Sequence, residues 1–260
     1  MQLAIYQGAG TLLDVAQNLE LLAQTAAEAA QGGAEFLILP ELFLTGYNIG
    51  DQIATVAESW QGRSLQLAAE IAREHHIAML FGYIEAADGV FYNSAALIDA
   101  DGQMLGNYRK IHLFGAEEQR LFTPGDRWLI QTIAGMKVGV LICYDIEFPE
   151  AVRSLALQGA ELIAVPTAIS PPYEFVPQFL VPSRAIENQV FVAYVNRVGV
   201  EGNLKYFGSS QVIAPNGEIL IQADSEASLQ WVKLDQIAIA TARSSEFCYV
   251  KERRPDLYQV

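Results

Sequence analysis

The stretch Gln31-Gly32-Gly33-Ala34-Glu35-Phe36-Leu37-Ile38-Leu39-Pro40 returns, little changed, as Gln158-Gly159-Ala160-Glu161-Leu162-Ile163-Ala164-Val165-Pro166. Each copy reads as the end of a helix, a glycine stop, a short run of apolar residues and a proline. An unbroken apolar run of that length is a strand covered on both faces, so each copy needs a layer above and a layer below. The copies stand 126 or 127 residues apart in a chain of 260. That period is too long for a solenoid repeat and fits two similar halves packed around one core. A layered α/β architecture with internal pseudo-symmetry follows, and no Pro/Ser-rich linker or charge run divides the chain, so residues 1–260 read as a single domain.

The remaining pattern agrees. Strands are expected at Leu3 to Tyr6, Phe36 to Leu39, Ala78 to Tyr83, Asn93 to Asp99, Lys137 to Ile142, Leu162 to Val165, Val190 to Asn196 and Ser209 to Ala214. Helical spacing covers Val15 to Ala30, Ser64 to His75, Pro149 to Gln158 and Phe179 to Asn188. Asp101-Gly102 and Asn216-Gly217 are hairpin signals, because both pairs tolerate positive φ. With 16 Lys+Arg against 30 Asp+Glu, the net charge of −14 repels phosphate backbones and anionic lipid, which argues against nucleic-acid and membrane-surface partners. Two cysteines, Cys143 and Cys248, are too few for a disulfide scaffold, and no apolar run is long enough to span a bilayer. A cytoplasmic protein is the simplest expectation.

Three side chains stand where chemistry can occur. Cys143 follows the strand ending at Ile142 and precedes Tyr144-Asp145-Ile146-Glu147-Phe148-Pro149, in which Pro149 suits a first helical turn. A strand-to-helix elbow exposes a thiol at the carboxyl edge of a sheet and leaves backbone N–H groups free to receive an oxyanion. The competing reading is a small buried residue, the commonest role of an intracellular cysteine. Glu41 follows a buried strand in the same way, either as a turn residue or as a base in the crevice. Lys110 lies in Asn107-Tyr108-Arg109-Lys110-Ile111-His112-Leu113-Phe114, among more apolar neighbours than a solvated lysine keeps, unless its stem snorkels.

Spacing alone does not join these residues. The segments Pro40-Glu41-Leu42-Phe43-Leu44-Thr45-Gly46-Tyr47, Tyr108-Arg109-Lys110-Ile111-His112-Leu113-Phe114 and Cys143-Tyr144-Asp145-Ile146-Glu147-Phe148-Pro149-Glu150 together resemble the nitrilase superfamily of carbon–nitrogen hydrolases. The likeness continues through Arg184 to Asn188, Asn196 to Gly199, Gly208 to Ser210 and Arg253 to Tyr258, so it runs the length of the chain. The resemblance implies a four-layer α-β-β-α sandwich and a homodimer or larger even-numbered homo-oligomer. It implies Glu41 as general base, Lys110 as oxyanion stabiliser and Cys143 as nucleophile. Glu118, which precedes Phe122 and Gly125 at the family's spacing, is the fourth polar residue.

A free thiol is only a few per cent ionised at neutral pH, so the nucleophile needs a neighbouring base. The expected reaction is hydrolysis of a small carboxamide to carboxylate and ammonia through a Cys143 thioester. Tyr144-Asp145 after the nucleophile resembles the amidase and carbamoylase side of the superfamily rather than the nitrile-cleaving Trp-Glu. An N-carbamoyl amidohydrolase is the alternative, a nitrilase less so, and a non-catalytic scaffold of the same fold is the reading from a different class. Tyr47, Phe114, Tyr144, Phe148 and Tyr173 are the expected substrate-binding residues. A carboxylate-bearing substrate would want a guanidinium, and only Arg109, Arg120, Arg184 and Arg197 are at hand, each with a structural role available. A Cys143 and His112 pair lacks the local signature of papain-like enzymes, and neither metal-ligand spacing nor a phosphate loop occurs, so no metal or cofactor is expected.

Overall fold

The computed structural model describes residues 1–244 and 246–258. In the first half come β1 (Gln2–Gln7), α1 (Val15–Gln31), β2 (Phe36–Ile38), α2 (Ile53–Val56), α3 (Arg63–His75), β3 (Ala78–Ala87), β4 (Val90–Ile98), β5 (Met104–Arg109) and α4 (Gly115–Leu121). The second half begins with β6 (Leu129–Ile133), β7 (Met136–Val140), a 3-10 turn (Cys143–Glu147), α5 (Pro149–Leu157) and β8 (Leu162–Pro166). A π turn (Val176–Leu180) leads into α6 (Val181–Asn188), followed by β9 (Phe191–Val195), β10 (Val198–Glu201), β11 (Leu204–Phe207), β12 (Gln211–Ile213), β13 (Ile219–Gln222), β14 (Ser228–Lys233) and α7 (Gln236–Arg243).

Two six-stranded sheets result, ordered β14-β1-β2-β3-β4-β5 and β13-β12-β9-β8-β7-β6. In each, a parallel trio carries antiparallel strands on both sides: β1, β2 and β3 in the first sheet, β7, β8 and β9 in the second. The repeated sequence supplies the middle strand of each trio, β2 and β8. Sequence echo and structural equivalence therefore coincide. One exchange breaks the symmetry: the strand outside β7 is the preceding β6, whereas the strand outside β1 is β14, delivered from the far end of the chain.

The period-2 alternation of β1 shows how the layers stack. Leu3 and Ile5 point into the core shared with Val138, Val140 and Leu162 of the other sheet, while Ala4 points the other way, toward Leu22 and Ala26 of α1 and Leu65 and Ala68 of α3. Ala151, Val152 and Leu155 of α5 and Val181 and Ala185 of α6 pack on the second sheet. The order of layers is thus helices, sheet, sheet, helices, the expected α-β-β-α sandwich. Asp14 starts α1 by accepting from the Gln17 amide at 3.0 Å, and Leu22, fully buried, contributes about 2 kcal/mol.

The hairpins expected at Asp101-Gly102 and Asn216-Gly217 connect β4 to β5 and β12 to β13, with Gly102 and Gly217 at φ 76° and 88°. The run expected as one helix from Phe179 begins earlier, as the π turn, because Pro182, inside the run, has no amide to donate to the carbonyl four residues back. Among the described residues no helix is long and apolar enough to cross a membrane.

Candidate active site

The echo-related strands β2 and β8 end side by side, where the Glu41 amide donates to the Thr167 carbonyl at 3.4 Å. Beyond β7 the chain reaches Cys143 with φ 46°, a left-handed conformation disfavoured for a residue with a side chain. Asp145 holds it there. Its Oδ2 accepts from the Ile142 amide at 3.0 Å and the Tyr108 hydroxyl at 2.8 Å, and its Oδ1 accepts from the His112 amide at 2.9 Å. Arg184 adds a second clamp, with Nε on the Ile146 carbonyl at 3.0 Å and Nη2 on the Glu147 carbonyl at 2.7 Å. The 3-10 turn that carries the thiol is therefore fixed from the first sheet's β5 and from α6.

Glu41 lies beyond β2, followed by Leu42 at φ 49°. Gly82 in β3 makes room for that turn: a Cβ there would meet the Leu42 nitrogen at 2.1 Å. Arg197, fully buried, donates through Nη1 to the carbonyls of Glu41 and Leu42 at 3.0 and 3.1 Å and pairs with Glu201. Lys110 is the first residue beyond β5, and Gly125 lets the chain cross it closely, donating to the Lys110 carbonyl at 2.8 Å. That contact gives the glycine of the Glu118 motif its physical reason.

These supports bring Glu41, Lys110 and Glu118 into one buried chain. Lys110 Nζ lies 2.8 Å from Glu41 Oε1 and 2.7 Å from Glu118 Oε1. Asn93 Nδ2 also donates to Glu41 Oε1, at 2.7 Å, while Glu41 Oε2 is buried without a hydrogen-bond partner among the described residues. Glu118 is itself held, accepting from the Tyr47 hydroxyl at 2.7 Å and from the Phe114 amide at 2.8 Å. Burial pushes the Glu41 carboxyl above the ordinary range even though Lys110 opposes the shift. Burial alone would strip the charge from Lys110, but the carboxylates of Glu118 and Glu41 outweigh it and hold the ammonium well above its usual pKa. The Cys143 thiol is pushed well up, by burial first and then by the negative Glu41. The shifts thus favour a protonated thiol and a charged lysine at rest.

Above Cys143 opens a small cavity of about 60 Å³. Its walls are Tyr47, Phe114, Glu147, Ala168, Ile169, Ser170, Tyr173, Leu204 and Tyr206. Of the five residues expected to bind substrate, Tyr47, Phe114 and Tyr173 line the cavity. Tyr144 and Phe148 stand behind Phe114, with ring centroids 5.3 Å from Phe114 to Tyr144 and 5.0 Å from Tyr144 to Phe148. Phe148 stacks on His112 at 3.8 Å, and Nδ1 of that histidine faces Asp145 Oδ1 at 2.7 Å, so His112 braces the elbow. None of the four arginines is among the lining residues: Arg109 pairs with Glu85, Arg120 with Asp51 and Glu117, and Arg184 and Arg197 serve the main chain. Cys248 is buried against Gln189, its Sγ 3.3 Å from Oε1. Sequence reasoning passed over Asn93, Leu204 and Tyr206, which reach the site from unrelated segments and share no local spacing with the nucleophile, and over Glu147, which closes the 3-10 turn that Cys143 opens and reads in the sequence only as part of that motif.

A cysteine on a constrained elbow, beside a buried carboxylate–ammonium–carboxylate chain and between two facing sheets, defines a thiol hydrolase of amide carbon–nitrogen bonds. The chain belongs to the carbon-nitrogen hydrolase family, whose model matches residues 2–244. It is 46% identical to a Pseudomonas protegens protein called "Hydrolase in pqqF 5'region", over 99% of this chain and 90% of the relative. Its identity with a Pseudomonas "(R)-stereoselective amidase" is 38%, covering 98% and 92%. An amidase from Nesterenkonia sp. superposes with a TM-score of 0.90 at 34% identity, covering 99% of this chain and 94% of that one. In a glutamate-to-glutamine mutant of that amidase, the acetamide moiety of fluoroacetamide is covalently added at the active site cysteine.

Proposed function

We propose that this protein hydrolyses small carboxamides without a carboxylate group through a thioester on Cys143. Sulfur attacks the amide carbon while Glu41 Oε2, the oxygen without a partner, accepts the thiol proton. The carbon–nitrogen bond then breaks as Glu41 passes that proton to the departing nitrogen, and ammonia leaves. Water, deprotonated by the same carboxylate, attacks the thioester; the carbon–sulfur bond breaks, the thiol recovers its proton and the carboxylic acid departs. Lys110 and the backbone N–H of Tyr144 face the oxyanion in both halves, and Glu118 keeps Lys110 charged and in place. The observation that carries the reading is the buried contact of Lys110 with both Glu41 and Glu118 beside a thiol that lines a cavity.

The absence of an arginine from the cavity wall disfavours N-carbamoyl amino acids and ω-amides of dicarboxylates, whose carboxylate would be left unpaired. The reading extends to a reducing, cytoplasmic setting, supported by two free thiols, and to an even-numbered homo-oligomer, supported by exposed apolar side chains such as Phe179 and Ile237. Ammonia release from acetamide, propionamide and butyramide tests the activity, with intact-protein mass spectrometry after acid quench to detect the acyl adduct. Turnover should vanish in Cys143→Ala. No turnover of any amide, or full activity after alkylation of Cys143, overturns the reading; light scattering that finds only monomers removes the oligomer.

A further inference from the structure

The cavity wall holds one charged side chain for which amide hydrolysis has no use. Glu147 closes the 3-10 turn that Cys143 opens, and both residues line the cavity. Its main chain is fixed by Arg184, but Arg184 turns Nη1 to Glu187, at 3.1 Å, rather than to the Glu147 carboxylate. Among the described residues no hydrogen bond or ion pair engages that carboxylate. A half-buried carboxylate with nothing opposite is unfavourable, and burial accordingly raises its pKa although Lys110 and Arg184 pull the other way. What such a group lacks is a cation or a strong donor.

The surroundings would accept one. The buried Lys110 ammonium is already matched by Glu41 and Glu118. The rings of Tyr47, Phe114, Tyr173 and Tyr206 supply electron-rich faces, which attract a desolvated ammonium rather than repel it. A 3-10 turn rises about 2.0 Å per residue, so Cys143 and Glu147, four positions apart, are separated by about 8 Å along its axis. A thioester carbon, two methylenes, an ammonium nitrogen and one hydrogen bond span such a gap.

We propose that Glu147 is a specificity-determining residue that selects carboxamides carrying an ammonium group two carbons beyond the carbonyl. This rests on the amide-hydrolase reading of the same cavity and narrows its substrate class to ω-amino amides. The test compares kcat/KM for β-alaninamide and for butyramide near neutral pH, two amides of the same shape that differ by an ammonium in place of a methyl. Wild-type protein should prefer β-alaninamide by about tenfold or more, and Glu147→Gln should bring the ratio close to one; Glu147→Ala serves if the glutamine variant does not fold. Because the ratio is taken within one protein, a general loss of activity cancels. Butyramide hydrolysed as well as β-alaninamide by the wild type, or a ratio unchanged in the variants, overturns the role of Glu147 and leaves the hydrolase standing. No hydrolysis of either amide and no acyl adduct overturns both.

Discussion

Lys110 is the side chain on which the site's electrostatics turn, because its charge has to survive complete burial. Two carboxylates keep it ionised, and the same charge makes Glu41 tolerable in a site where burial disfavours it. Removing one member of such a unit removes the function of the others. Glu41→Gln, Lys110→Ala and Cys143→Ala should each lower kcat by three or more orders of magnitude, while a double variant loses little more than the worst single one, as steady-state kinetics would reveal. The pH profile follows from the directions of the shifts. With Glu41 as the proposed base, which works only when unprotonated, kcat/KM for a neutral amide should fall as pH drops through the Glu41 pKa, which burial places above the ordinary glutamate range. The thiol and the ammonium both titrate well above their usual values, so no alkaline decline belongs near about 8.5, where a free cysteine ionises. An acid limb at the ordinary glutamate value, or a decline near a free thiol's, contradicts these roles. The sequence singled out the four polar residues of this unit only because each sits in a segment resembling a family motif. Asn93 holds Glu41 from a position that no local pattern marks, and Asp145, though inside the Cys143 motif, gives no sign in the sequence that it braces the elbow.

The elements most legible in the sequence were those buried on both faces. β2 and β8 are unbroken apolar runs with no alternative to a sandwiched strand, and β1, β3, β7 and β9 share enough of that character to be read directly. β5, β6, β13 and β14 escaped, since edge and half-exposed strands mix polar and apolar residues and take their conformation from a partner. β3 extended to Ala87 rather than ending at Tyr83 for the same reason: its outer part, Ile84 to Ala87, is held by four paired positions with β4. Within β3, Gly82 does more than continue a strand. Its carbonyl accepts from the Leu44 amide and its amide donates to the Pro40 carbonyl, both at 3.1 Å, so the Glu41 turn lies directly on it. Gly82→Ala should therefore destabilise the protein by about 3 kcal/mol and reduce turnover far beyond what the lost stability explains. Denaturant unfolding alongside kcat measured well below the unfolding midpoint checks this, and a variant as active as the parent would mean that the turn can move aside.

At the scale of the molecule, the pseudo-symmetry explains why neither half is complete. Glu41, Lys110 and Glu118 come from the first half and Cys143 from the second, so the site forms only where the two sheets meet. The repeat in the sequence announced two similar halves, but it gave no sign of the exchange by which β14 leaves the second half to complete the first sheet. Six residues of β14 pair with six of β1, and Trp231 lies over Gly32 with its Nε1 donating to the Ala29 carbonyl at 3.1 Å. Without β14, the edge of β1 would offer its unpaired amides and carbonyls to other chains, next to buried Leu3, Ala4 and Ile5. A chain ending at residue 226 should consequently aggregate, whereas Trp231→Ala in the full chain, which keeps the strand and loses its anchor to α1, should remain soluble and be less stable by about 2 kcal/mol. Soluble yield, light scattering and thermal unfolding distinguish these outcomes. A soluble, cooperatively folded truncation would show that the first sheet closes without its last strand, and the exchange would then be a consequence of the pseudo-symmetric fold rather than a requirement for it.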